Sequence, residues 1–186
     1  MLINNEPSLI LKDKKIILLD NDFLGDLYES RELLEDVIKL DSSKKLYLHP
    51  FTEFEFLRNV FLPRIRILKE QFISSQFFGH IKAENHLKIF QKIFDNSLLL
   101  SKIYAHKNLA LGSSFIDLTL ASLLMYLKTN AILITGNKRD FPSCLFDTLS
   151  VLNFESKEGN IRAIGIVAFN QAKFDRCYKD LQKLES

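Results

Sequence analysis

The chain has 186 residues, 47% of them hydrophobic and 26% charged, which places it in the range of one globular domain built on a single core. A net charge of +2 excludes the overall basic excess of a tail-driven nucleic-acid binder, so a polyanion would have to be met by a local patch. The two cysteines, Cys144 and Cys177, have no C-x-x-C spacing and no His nearby, which excludes a zinc site or a disulfide framework and leaves two buried free thiols.

The N-terminal stretch MLINNEPSLILKDKK carries an acid and a Pro where a secretory signal needs a basic start and an apolar run, so no export signal is expected. Lys15 to Asp20 then reads as a short strand covered on both faces, and Phe23 to Leu40 as an amphipathic helix with Leu24, Leu27, Leu33, Leu34, Val37 and Ile38 on one side. Lys45 to His49 is a second strand, broken by Pro50. Helical spacing resumes over Phe54 to Ile67, with Phe54, Leu57, Val60 and Phe61 on one face and an interruption at Pro63. Residues 68–108 hold further helical pattern, notably Leu87, Ile89, Phe90, Ile93 and Phe94, and one strand near Ser97 to Leu100. Phe115 to Leu127 is apolar nearly all round, hence a buried helix, and Ala131 to Thr135 a strand immediately after it. Two strands, Leu149 to Glu155 and Ile161 to Phe169, are joined by a turn at Lys157 to Asn160, and a closing helix runs from Gln171 to Leu184.

Alternating strands and helices imply an α/β protein, three layers deep (α/β/α), with a mostly parallel central sheet. One domain spans 1–186, with a core at 15–142, extra helices in 68–108 and a C-terminal hairpin plus helix from about 149. The longest apolar region, Leu109 to Leu127, contains Asp117, Gly112 and four Ser or Thr, which a membrane span would not tolerate. A soluble cytoplasmic protein is the expectation.

Acids gather where such a sheet would expose them. In open parallel sheets the ligand crevice lies outside the carboxyl ends of the strands. Asp20 and Asp22 end the first strand, Glu53 and Glu55 follow the second, Asp117 falls in the first turn of the buried helix, and Asp140 follows ILITG. Each has a structural explanation as well: Thr52-x-x-Glu55 and Ser114-x-x-Asp117 match the capping box, loosely for the Asp, and a cap contributes about 1 kcal/mol whatever the protein does. The conjunction points further, because two carboxylates about 4 Å apart repel by roughly 4 kcal/mol at an effective dielectric near 20. Several acids in one crevice therefore call for a cation between them, and all-oxygen ligands select hard ions, Mg2+ or Mn2+.

The segments IILLDNDFLGDLY, LYLHPFTEFEFL, SSFIDLTLASLL and ILITGNKRDFP, in this order, resemble the four acidic motifs of the PIN-domain ribonucleases. The last is the most specific, a strand ending in Thr followed by a short polar turn and Asp-Phe. The resemblance implies Asp20 and Asp117 as the most direct ligands of the metal, with Glu55 and Asp140 completing the shell or orienting the water. Spacing from Pro50 favours Glu55 over Glu53. Asn21 and Asp22 occupy supporting positions, and Thr135 or Asn137 could hydrogen-bond a carboxylate or a metal-bound water. The implied activity is metal-dependent hydrolysis of RNA phosphodiester bonds, with no covalent intermediate. Substrate contacts fall to Lys138 and Arg139 inside the fourth motif, and to Arg58, Arg64, Arg66 and Lys69 after the second, where a solvated helix face is the alternative; Lys14 and Lys15 enter the first strand at its other end and have no role. Many small members of the family are toxins neutralised by a partner antitoxin and are dimeric. The long spacing between Glu55 and Asp117 and the tail from Leu149 exceed the minimal fold.

Two other readings compete with this one. LLDND followed by ILITGNK also resembles the first two motifs of haloacid-dehalogenase-like phosphatases, but no paired acid motif follows Asp140. A PIN-like module that binds RNA or protein without cutting would be expected to have lost one of the four acids, and all four are present.

Overall fold

In the computed structural model the described residues are Lys14, 16–40, 45–58, 60–109, 113–156 and 159–185. Residues 1–13 of the N-terminal stretch read for an export signal, Lys15, Gly112 and the first half of the turn at Lys157 to Asn160 lie outside them.

The chain runs through β1 (Ile16–Leu19), α1 (Asn21–Glu29), α2 (Arg31–Leu40), β2 (Leu46–Leu48), α3 (Pro50–Arg58), α4 (Pro63–Ile73) and β3 (Phe78–His80). It continues with α5 (Ala83–His106), α6 (Phe115–Leu127), β4 (Ala131–Thr135), β5 (Phe146–Glu155), β6 (Ile161–Phe169) and α7 (Gln171–Glu185). The six strands form one sheet in the order β3-β2-β1-β4-β6-β5. Pairings β3–β2, β2–β1 and β1–β4 are parallel; β4–β6 and β6–β5 are antiparallel. The C-terminal hairpin thus extends the sheet from β4 rather than standing apart from it.

Alternation along the strands builds both faces. Ile17 and Leu19 of β1 and Ile132 and Ile134 of β4 point to one side, where they join Leu24, Leu27, Leu33, Val37, Phe56 and Ile73 of α1 to α4. Leu18, Ala131 and Leu133 point to the other, against Ile93, Leu100 and Ile103 of α5, Leu120, Leu123 and Leu124 of α6, and Phe174 and Leu181 of α7. Both faces of β1 and β4 are therefore dry, which is why their sequences are continuous apolar runs instead of alternating ones. The result is the expected three-layer α/β/α sandwich. Among the described residues no helix is long and apolar enough to cross a membrane.

Several local expectations are corrected. The single helix expected over Phe23 to Leu40 is two: Ser30 takes an extended backbone, closes α1 through its N–H to the Asp26 carbonyl, and accepts from Leu33 N at 3.2 Å to cap α2. A serine can end one helix and start the next because its hydroxyl replaces the missing carbonyl acceptor. Pro50 does not merely end a strand; it opens α3, four residues before the expected start, with the His49 Nδ1 accepting from Phe51 N at 3.2 Å. Thr52 is consequently inside α3 and buried, not an N-cap, and the capping box expected at Thr52 and Glu55 does not form. Pro63 likewise begins α4, leaving Phe61 90% exposed. Ser97 to Leu100 is helical, within α5, and the strand of that region is Phe78–His80, too short to leave an apolar run in the sequence. The strand expected from Leu149 begins at Phe146 and carries an irregularity between Thr148 and Ser150. Cys144 is only half-buried, while Cys177 is buried and donates from Sγ to the Cys144 carbonyl at 3.6 Å.

Candidate functional site

Strands β1, β2 and β4 run the same way, so the turns that leave them rise on one side of the sheet. Asp20 follows β1 directly. It is buried, and its extended backbone makes it the N-cap of α1, with Oδ1 accepting from Asn21 N at 2.7 Å. Its other oxygen, Oδ2, accepts from Thr135 Oγ1 at 2.7 Å, the last residue of the neighbouring strand β4. Thr135 is fully buried and its hydroxyl also accepts from Asn137 N at 3.0 Å. Burial, and then the charge of Asp22, push the Asp20 carboxyl up to about 7; the bonds from Thr135 and Asn21 oppose the rise, and Asp117 adds to it.

Asp22, expected only as a helper, is tied to the same strand end, accepting at Oδ1 from Gly136 N at 3.1 Å and from Phe23 N at 2.6 Å. A Cβ on Gly136 would lie 2.6 Å from Asp22 Oδ2, so this position needs glycine to let the carboxylate approach. Asn21 is half-buried in the same turn.

Asp140 is buried at the end of a short 3-10 turn, Lys138–Asp140. Oδ1 accepts from Ser113 Oγ at 2.8 Å, Oδ2 from the Asn137 side-chain amide, and its carbonyl from the Tyr104 hydroxyl at 2.8 Å. Burial raises its carboxyl above the usual range, the Ser113 bond lowers it, and Asp117 and Asp22 raise it. Asp117 sits in the first turn of α6 in a complete capping box: Oδ2 accepts from Ser114 N at 2.6 Å while Asp117 N donates to Ser114 Oγ at 3.2 Å.

Glu55 and Glu53 part company. Glu53 Oε1 is 2.8 Å from Nδ1 of His80 on β3. Glu55 faces the acids: burial raises its carboxyl, Arg58 at 3.4 Å opposes, and the charges of Asp117 and Asp22 raise it further. Asp20, Asp22, Glu55, Asp117 and Asp140 thus come from four separate segments and act on one another electrostatically.

Of the cations expected to meet substrate, Arg139 is exposed and Arg58 pairs with Glu55. Lys138 packs its stem over β6, where a Cβ on Gly165 would be 2.6 Å from its Cγ and Cδ. Lys14 donates to the Thr129 carbonyl at 2.8 Å, at the far end of β1. Sequence reasoning missed Ser113, Tyr104 and Gly136; only Gly136, a glycine straight after a strand ending in Thr, left a readable signal.

The donor chemistry fits a hard divalent ion, since Asp20, Asp22, Glu55, Asp117 and Asp140 all offer carboxylate oxygen. The conformations do not close a shell around one: among the described residues no group of three or more His, Cys, Asp or Glu side chains stands ready to hold an ion. The cause is that Asp117 folds back on its own cap, Glu55 leans to Arg58, and Asp140 is gripped by Ser113 and Asn137. Asp20, Glu55 and Asp117 could hold an ion once the last two leave these partners. Compared with known proteins, the chain matches no family model, no curated protein and no solved structure.

Proposed function

We propose that the chain is a Mg2+- or Mn2+-dependent endoribonuclease of PIN type, acting in the cytoplasm. The observation that carries this reading is the meeting of Asp20, Glu55, Asp117 and Asp140 with Asp22 at the carboxyl ends of three parallel strands, where the charges of Asp22 and Asp117 raise the proton affinity of Asp20, Glu55 and Asp140. Clustered carboxylates that oppose one another's ionisation are a liability for stability and mark functional sites. Asp20 and Asp117 would hold the ion most directly, with Glu55 and Asp140 around them.

The ion would supply a Lewis acid for the scissile phosphate and activate the attacking water. The protein does the rest. Thr135 fixes the Asp20 carboxylate from below, while the backbone amide of Gly136 fixes Asp22. Asp140, which Ser113 and Asn137 hold, would accept a proton from water or orient it. Arg139 and Lys138 approach RNA from the turn after β4, and Arg58 joins them when it leaves Glu55. An antitoxin-like protein partner and a homodimer rest on the family resemblance alone.

A non-cutting RNA- or protein-binding module is the second reading, favoured by the capping box that already occupies Asp117 and by the open arrangement of the acids. The deciding experiment incubates a mixed single-stranded and structured RNA pool with the protein in Mn2+, Mg2+ or EDTA, beside Asp117→Asn. Metal-dependent cutting that Asp117→Asn lacks supports the nuclease. RNA binding without cutting by either protein supports the module.

A further inference from the structure

A cavity of about 320 Å3 opens beside the acids, between α1, α3 and α4, lined by Asn21, Asp22, Gly25, Glu55, Val60 and Lys69. It lies at the small end of the range for ligand pockets, about 300–1,000 Å3, so it has room for one unit of a polymer and not for a folded segment.

Two features of its wall are unexplained by packing. Gly25 lies mid-helix in α1, where glycine costs about 1 kcal/mol relative to alanine. At Gly79 and Gly136 a Cβ would collide with Tyr47 at 2.8 Å and with Asp22 at 2.6 Å, whereas at Gly25 it would meet nothing within 4 Å. The fold does not require glycine there; the missing side chain keeps the cavity open. The second feature is Lys69. Its Nζ donates to the Phe56 carbonyl at 3.0 Å and rests 4.0 Å from the Phe56 ring centroid, with Tyr28 at 5.7 Å. The ammonium is therefore held in place by a carbonyl and aromatic faces, not by an ion pair with Glu55 or Asp22 across the cavity. Glu29 attracts this charge without forming an ion pair among the described contacts, so a cation fixed in the cavity wall keeps donors for an anion from outside.

We infer that this cavity is a subsite for the nucleotide next to the scissile phosphate of a single RNA strand, with Lys69 holding that nucleotide's own phosphate and Gly25 leaving room for its bulk. The inference rests on the ribonuclease reading, and it makes Lys69 and Gly25 positioning residues that act on substrate binding.

The test is steady-state cutting of a single-stranded oligoribonucleotide in Mn2+ by wild type, Gly25→Ala, Gly25→Leu and Lys69→Met, with thermal unfolding of each. Gly25→Ala is expected to unfold no lower than wild type and still raise KM. Lys69→Met is expected to raise KM about tenfold with kcat changed much less, the size of one lost charged contact, and Gly25→Leu, which fills the cavity, is expected to raise KM at least as much. Lys69→Met should also flatten the plot of log KM against log salt by about 0.7, the value for one phosphate contact on a single strand. Wild-type KM and salt slope in both Gly25→Leu and Lys69→Met, with cutting intact, would overturn the subsite and leave the nuclease standing. No metal-dependent cutting by wild type would overturn the nuclease reading, and the subsite with it.

Discussion

Thr135→Val removes one hydroxyl from the base of the site and little else. That hydroxyl is fully buried, donates to Asp20 Oδ2 at 2.7 Å and accepts from Asn137 N at 3.0 Å. A hydrogen bond to a charged group contributes about 1.5–3 kcal/mol, and a buried amide left without an acceptor costs about 1–3 kcal/mol. Asn137 is exposed, so water can serve its amide and that cost falls at the low end. The extra methyl of Val returns less than about 1 kcal/mol. The expected loss is about 3 kcal/mol, a fall in Tm of about 6–12 °C for a chain of this size. Urea unfolding in EDTA at pH 8, where Asp20 is largely ionised, measures it. Thr135→Ser keeps the hydroxyl and should lose clearly less. A cycle with Asp20→Asn should show a coupling of about 1–2 kcal/mol, as groups in one hydrogen-bonded network do. A Val cost below about 1 kcal/mol, or one no greater than that of Ser, would refute the claim that Thr135 supports the Asp20 carboxylate.

Glu55→Gln should abolish metal-dependent RNA cutting while Glu53→Gln, whose partner is His80, leaves it nearly unchanged; initial rates compare them directly. Gly136→Ala drives a methyl against Asp22 Oδ2, and should cost about 1–3 kcal/mol in urea unfolding. Ser114→Ala removes half of the capping box and should destabilise by about 1 kcal/mol, read in the same assay. Asp26 titrates in the opposite sense to a salt-bridged surface acid. Burial pushes its carboxyl up to about 6 from 3.8, Arg162 opposes this, and Asp22 and Glu29 add to it. The folded protein therefore binds this proton more tightly than the unfolded chain, so the stability it contributes is full below about pH 4 and lost as pH rises toward 6. Asp26→Asn should flatten the stability profile between pH 4 and 6, and an unchanged slope there would contradict the assignment.

Much of the frame was legible because it depends on burial. β4 is covered on both faces, and a strand buried twice over writes a continuous apolar run, so Ala131–Thr135 is legible to the residue, as is Ile161–Phe169, which is bounded by polar residues on both sides. The buried helix Phe115–Leu127 was equally plain. What failed was local. Ser30 looks like any polar residue in a helical period until its hydroxyl is seen capping α2, and Pro50 reads as a stop although it is also the favoured first residue of a helix. Phe78–His80 is a strand only because β2 lies beside it, which no local pattern records. At the site, the acids could be named from their places after strands. Of their partners, Thr135 and Asn137 could be named as donors to a carboxylate, but the pairing of Thr135 with Asp20, and Ser113 as a donor to Asp140, are contacts between distant segments that the sequence does not record. The capping reading was right for Asp117 and wrong for Glu55, because Thr52 falls within α3.

Titration of Mn2+ into the purified protein by calorimetry, beside Asp20→Asn, asks most directly why these strands end on acids. The account requires saturable binding by wild type that Asp20→Asn loses while remaining folded. Equal binding by both proteins, or none by wild type, would mean that the carboxylates serve as helix caps and hydrogen-bond acceptors and that no ion is held between them.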